Sequence, residues 1–143
     1  MAPRLEPLRR PEIPYRRRVQ LESMYSAQVL DHFQNPRNAG DLPDADAIAQ
    51  IENPGCGDVL RLALKIHGGR IAAVRFKAKG CVASIACASA LTELITNMTL
   101  GQAKAVRAEA VTDAVGGLPN GSAHAAQLAI DALFAALKQI KAT

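Results

Sequence analysis

Between Asp58 and Ile66 the chain alternates, with Leu60, Leu62, Leu64 and Ile66 on one parity and Arg61, Ala63 and Lys65 on the other. A period of two sends one parity to each face of a strand, so this run asks for cover on a single face. The run from Ile71 to Lys79 repeats the pattern with Val74 and Phe76 against Arg75 and Lys77. Between the two, His67-Gly68-Gly69-Arg70 is a glycine turn of hairpin type. A third apolar run, Ala47 to Glu52, precedes them. Three consecutive strands predict an antiparallel meander that needs one helical layer.

The sequence then supplies that layer. Ile85, Ala88, Thr92 and Ile95 step by three and four, as do Ala126, Ile130, Leu133, Leu137 and Ile140. Two amphipathic helices follow, near Val82 to Thr96 and Ser122 to Lys141. Shorter helices are expected around Leu100 to Val106 and Val111 to Val115, with Gly116 to Gly121 as the break before the last one. Ahead of the strands, Val29, Leu30 and Phe33 recur at helical spacing after Ser26, a cap, and stop at Asn35-Pro36-Arg37-Asn38-Ala39-Gly40. Strands first and long helices after favour an α+β class, a three-stranded antiparallel sheet with helices packed on one face, over a doubly wound sheet.

Charge divides unevenly. Residues 1–23 hold six arginines against Glu6, Glu12 and Glu22, which is +3 of the net +4 and leaves +1 for residues 24–143. Pro3, Pro7, Pro11 and Pro14 interrupt any long helix there, so residues 1–23 read as a basic, proline-rich, disordered extension. A transit peptide would be acid-poor and serine-rich, and this stretch is neither. Organised sequence begins at Met24, read as the true or a second start, and residues 24–143 form one domain. Aromatic residues make up only 3% of the chain, which argues against stacking on nucleic-acid bases. No apolar run reaches the roughly 18 residues that span a bilayer, so no membrane association is expected.

Three cysteines, Cys56, Cys81 and Cys87, are an odd number with no signal peptide, which points to a reducing, cytoplasmic setting rather than a disulfide framework. Cys56 and Asp58 sit two apart in Asn53-Pro54-Gly55-Cys56-Gly57-Asp58, a glycine-flanked turn at a hairpin tip. Cys81 follows Gly80 where a strand ends and a helix begins, and the positive end of that helix favours its thiolate. Cys87, about 600° of helical rotation further on, faces another way and reads as core. His124 lies in the first turn of the last helix, after Ser122 as a candidate cap, whereas His32 and His67 read as solvated or as supporting groups. Two sulfurs, one nitrogen and one oxygen suit a tetrahedral zinc or iron site built from Cys56, Asp58, Cys81 and His124.

Three blocks carry a resemblance. Tyr25-Ser26 and Asp31 through Gly40, then Asn53 through Asp58, then Phe76-Lys77-Ala78-Lys79-Gly80-Cys81, are similar to the iron-sulfur cluster assembly scaffolds of the NifU/IscU type, over nearly all of residues 24–143. The resemblance implies a three-stranded α+β domain that is not an enzyme. On it a [2Fe-2S] cluster is assembled transiently, with sulfur from a cysteine desulfurase, and passed to apo iron-sulfur proteins. Zinc can occupy the same site. Cys56, Asp58 and Cys81 match the family's first cysteine, its aspartate and its second cysteine, and His124 matches the histidine of a His-Cys pair. The position after it is Ala125, so the family's third cysteine is missing. The Leu-Pro-Pro-Val-Lys segment read by a specialised Hsp70-type chaperone is here Leu118-Pro119-Asn120-Gly121-Ser122. Alongside the scaffold stand two other expectations: a degenerate zinc-binding paralogue that regulates or contacts the desulfurase, and a sulfur-transfer thiol protein using Cys81.

Overall fold

The computed structural model describes residues 13–53, Gly55 and residues 57–140; Pro54 and Cys56 lie outside them. Strands β1 (Ala47–Asn53), β2 (Asp58–His67) and β3 (Arg70–Lys79) form an antiparallel sheet in the order β1-β2-β3. Leu60, Leu62, Leu64, Val74 and Phe76 are buried as the alternation requires, while Arg61 and Lys77 stay exposed across from each other. The α+β architecture is the expected one.

Among the described residues there are six α-helices: α1 (Tyr15–Met24), α2 (Ala27–Gln34), α3 (Val82–Ile95), α4 (Leu100–Lys104), α5 (Ala108–Ala114) and α6 (Ala123–Lys138). Helix α6 packs on β1 and β2, α3 packs on β3, and the two helices meet each other, so one core lies between sheet and helices. Ala83, Ala86, Ala88, Ala90, Ala129, Ala132 and Ala136 are all buried there, and such small side chains let helix backbones approach closely. Helix α2 begins as expected, with Val29 N–H donating to Ser26 Oγ at 3.0 Å.

Two boundaries and one side chain differ from the sequence expectations. Helix α1 lies inside the segment for which prolines predict disorder, because Pro14 is the last of them and occupies the cap position where a fixed φ does no harm. Residues 1–12 lie outside the described residues. Ser122 does precede α6, but it closes a 3-10 turn (Asn120–Ser122) and makes no side-chain cap bond. His32, expected to be solvated or supporting, is buried.

Candidate metal centre

Three elements end at one place. The β1–β2 turn closes with Asn53 opposite Asp58, Gly57 N–H donating to Asn53 O at 2.8 Å and Gly55 N–H donating to Asn53 Oδ1 at 3.2 Å. Gly57 has φ of +72°, a backbone state that glycine adopts without strain. This sets Asp58 as the first residue of β2, with a carboxylate only 2% exposed.

At the other end of the sheet's last strand, Gly80 brings β3 into α3. A Cβ on Gly80 would overlap the Asp58 carboxylate, so the close approach of the two segments requires glycine there. Cys81 is the cap residue of α3, and its backbone N–H donates to Asp58 Oδ1 at 3.2 Å. One turn into the helix, Ser84 Oγ donates to Asp58 Oδ2 at 2.7 Å and lies 3.2 Å from Cys81 Sγ. A buried carboxylate at the positive end of a 14-residue helix, held by two donors, is a stable placement for its charge.

His124 enters from the first turn of α6. Its Nε2 lies 3.5 Å from Asp58 Oδ2, and Cys81 Sγ lies 3.8 Å from the same oxygen. Donor atoms of Asp58, Cys81 and His124 all fall within 4.8 Å of one another. Tetrahedral bonds of about 2.0–2.3 Å place neighbouring ligand atoms about 3.3–3.8 Å apart, so both of these separations match a shared ion. The His124 Nε2 atom is itself buried and has no hydrogen-bond partner. A buried polar atom without a partner is costly, and an ion held by the neighbouring donors would satisfy it. The donor set therefore fits a metal.

The structure thus brings together Asp58, Cys81 and His124 from positions spread over the chain. Cys56, the fourth residue of the expected set, lies outside the described residues. Cys87 is fully buried, and burial pushes its thiol up to about 12, with the nearby Cys81 adding to the shift. Its reading as core holds. Ala125 is 1% exposed and belongs to the same core. Ser84 was not anticipated; its position, third after a cap residue, is where a side chain reaches back to helix-terminal groups, and that spacing was visible in the sequence.

Comparison with known proteins points one way. The family model described as NifU-like N terminal domain matches residues 24–143. The chain is 43% identical over 114 residues to the iron-sulfur cluster assembly scaffold protein IscU 1 of Archaeoglobus fulgidus, covering 80% of this chain and 74% of that one. It is 36% identical over 122 residues to the iron-sulfur cluster assembly scaffold protein IscU of Haemophilus influenzae, covering 82% and 96%. A crystal structure of the N-terminal part of a nitrogen-fixing NifU-like protein from Brucella abortus aligns with a TM-score of 0.68 at 20% identity, covering 84% of this chain and 96% of that one, and speaks to the fold alone. On the family model and these relatives together, the chain belongs to the NifU-like N-terminal domain family.

Proposed function

We propose that this protein is an iron-sulfur cluster assembly scaffold, carrying a [2Fe-2S] cluster or its metal as transient cargo and passing it to apo iron-sulfur proteins. The observation that carries the reading is the convergence of Asp58, Cys81 and His124, with His124 Nε2 left unpartnered among them. Cys56, two residues before Asp58 on the same turn, would complete the set. In this role each side chain has a distinct task. Cys81 presents an exposed thiol at the mouth of the site, where incoming cargo and a receiving protein can both reach it. His124 supplies a neutral nitrogen through Nε2. Asp58 offers a hard oxygen, a weaker partner for soft metals than a thiolate, which favours release over permanent storage.

The surroundings suit a carrier better than a small-molecule enzyme. Beside the site lies a hollow of about 200 Å³ between Ile51, His124, Gln127 and Leu128, below the roughly 300–1,000 Å³ common for ligand pockets. Among the described residues no helix is long and apolar enough to cross a membrane. The chain works in the cytoplasm, with a cysteine desulfurase as sulfur source and apo-proteins as recipients. Ala125 replaces the third thiol, so cargo here is held by Cys56, Asp58, Cys81 and His124, and zinc can take the same place. Of the segment read by an Hsp70-type chaperone, only Leu118 and Pro119 remain.

Anaerobic reconstitution with iron, sulfide and a desulfurase tests this. The expected result is a visible cluster chromophore that disappears in Cys56→Ala and in Cys81→Ala. Uptake of zinc with no chromophore would replace the scaffold with the zinc-binding paralogue, and a persulfide on Cys81 without any bound metal would favour sulfur transfer.

A further inference from the structure

Asp58 is asked to do two things with one carboxylate. Both of its oxygens are engaged by α3: Oδ1 accepts the Cys81 amide N–H and Oδ2 accepts the Ser84 hydroxyl. Yet Oδ2 is also the oxygen nearest His124 Nε2 and Cys81 Sγ, hence the one turned toward the metal position. Ser84 is 4% exposed and 3.2 Å from Cys81 Sγ, so its single proton has two acceptors and no bulk water to turn to. Donating to either acceptor withdraws electron density from an atom that would otherwise bind the cargo.

The geometry points to Ser84 as a positioning residue that sets how long the site keeps its metal, by holding Asp58 Oδ2 to the start of α3 and so limiting its bond to the ion. This rests on the scaffold reading of Asp58, Cys81 and His124. Ser84 touches no cargo in this role; it acts through Asp58. With the hydroxyl gone, and with the Cys81 thiol bound to the metal as thiolate and no longer donating, Oδ2 keeps no donor from α3 and turns fully to the metal. In the metal-free protein the same change leaves a buried carboxylate oxygen short of a partner. Bound and free states therefore respond in opposite directions, which a purely structural serine would not produce.

Cobalt(II) makes the test direct, because a thiolate-to-cobalt absorption band reports occupancy while a chelator in excess drives release. In Ser84→Ala the band should decay about threefold to tenfold more slowly than in the unsubstituted protein, the value of one ordinary hydrogen bond. The difference in thermal midpoint between cobalt-loaded and metal-free protein should widen. Ser84→Thr keeps the hydroxyl and should keep the original decay rate. In an Asp58→Ala background, Ser84→Ala should have no effect on decay. Equal or faster release from Ser84→Ala, equally slow release from Ser84→Thr, or slowing that persists without Asp58 would each overturn the role of Ser84 while leaving the metal site standing. Absence of the band in the unsubstituted protein would remove the site and this role together.

Discussion

Two regions of the molecule pair a histidine with a carboxylate at nearly the same distance, and they leave the ring in opposite states. His32 Nε2 lies 3.6 Å from Glu93 Oε1, and His124 Nε2 lies 3.5 Å from Asp58 Oδ2. Where α2 packs on α3, the histidine is buried and the acid half exposed. His32 Nδ1 meets Ser89 Oγ at 2.8 Å, and Ser89 Oγ also accepts the Arg37 N–H at 2.8 Å. A hydroxyl has one proton and two acceptor sites, so Ser89 serves the amide and the ring at once in either tautomer of the neutral imidazole. There Nδ1 is bonded to the facing helix, and Nε2 looks toward a half-exposed carboxylate at the rim. At the turn end the burial is reversed, with the acid sealed and the ring at the rim, and Nε2 is itself buried without a hydrogen bond. A histidine bonded through Nδ1 to the facing helix holds helices together; one whose buried Nε2 has no hydrogen bond, beside a thiol and a carboxylate, is placed to take an ion.

The largest contrast lies between the two cysteines of these regions. Cys81 is exposed at the turn end and Cys87 is sealed within α3. A thiol pushed up to about 12 by burial is almost wholly protonated near neutral pH and is also out of reach of a reagent. Native alkylation with iodoacetamide, followed by mass spectrometry, should modify Cys81 at least about a hundredfold faster than Cys87. Comparable rates would mean that the interior is not closed, and the contrast between the regions would fail.

Next in size is a crossed pair of substitutions. His124→Ala, which removes a direct donor, should weaken zinc binding by about 100-fold or more. The metal-free fold should change by less than about 0.5 kcal/mol, since no internal bond is lost. His32→Ala should do the reverse. It removes one of the two partners of Ser89 and opens space between α2 and α3, at about 1–3 kcal/mol in urea unfolding, with zinc affinity unchanged. If His32→Ala weakened zinc binding as much as His124→Ala, the division of labour drawn here would be wrong.

Much of this was legible in the chain. Period-two alternation located β2 and β3 to within a residue, because each buries mainly one face, with the small Ala63 of β2 as an exception, and Ser26 marked the start of α2 by its ordinary capping chemistry. Asp58, Cys81 and His124 were legible as donors at element ends, the places where side chains can converge. What the sequence could not convey was which polar residues would be spent internally. His32 sits on an amphipathic helix whose polar residues could equally face water; only the packing of α2 against Ser89 and Arg37 buries it. Ser84 reads as one small residue among many on α3 until Asp58, 26 positions earlier, is known to lie against it. Pro14 misled in the other direction, since a proline that breaks a helix interior is well tolerated at a helix start.

The smallest expected effect is the pH response of the region between α2 and α3. Burial, the largest cause, and the positive charge of Arg37 hold the His32 imidazole below its ordinary value of 6.5, against smaller opposing pulls from Glu93 and Asp31. The folded state therefore binds fewer protons at this site than the unfolded chain. Stability from the neutral ring is fully present above about pH 6.5 and is lost as the pH falls below it, toward the lowered folded value. Urea midpoints of metal-free protein between pH 7.5 and 5.5 should show this as a decline of at most about 1.4 kcal/mol per pH unit, the limit for one proton. The variant His32→Asn, which has no ring to titrate, should decline less over the same interval, in which carboxylates such as Asp31, held low by Arg37, stay ionised. An identical slope in the variant would show that His32 is not sealed between the helices as its hydrogen bond to Ser89 implies, and that the two histidines differ less than their surroundings suggest.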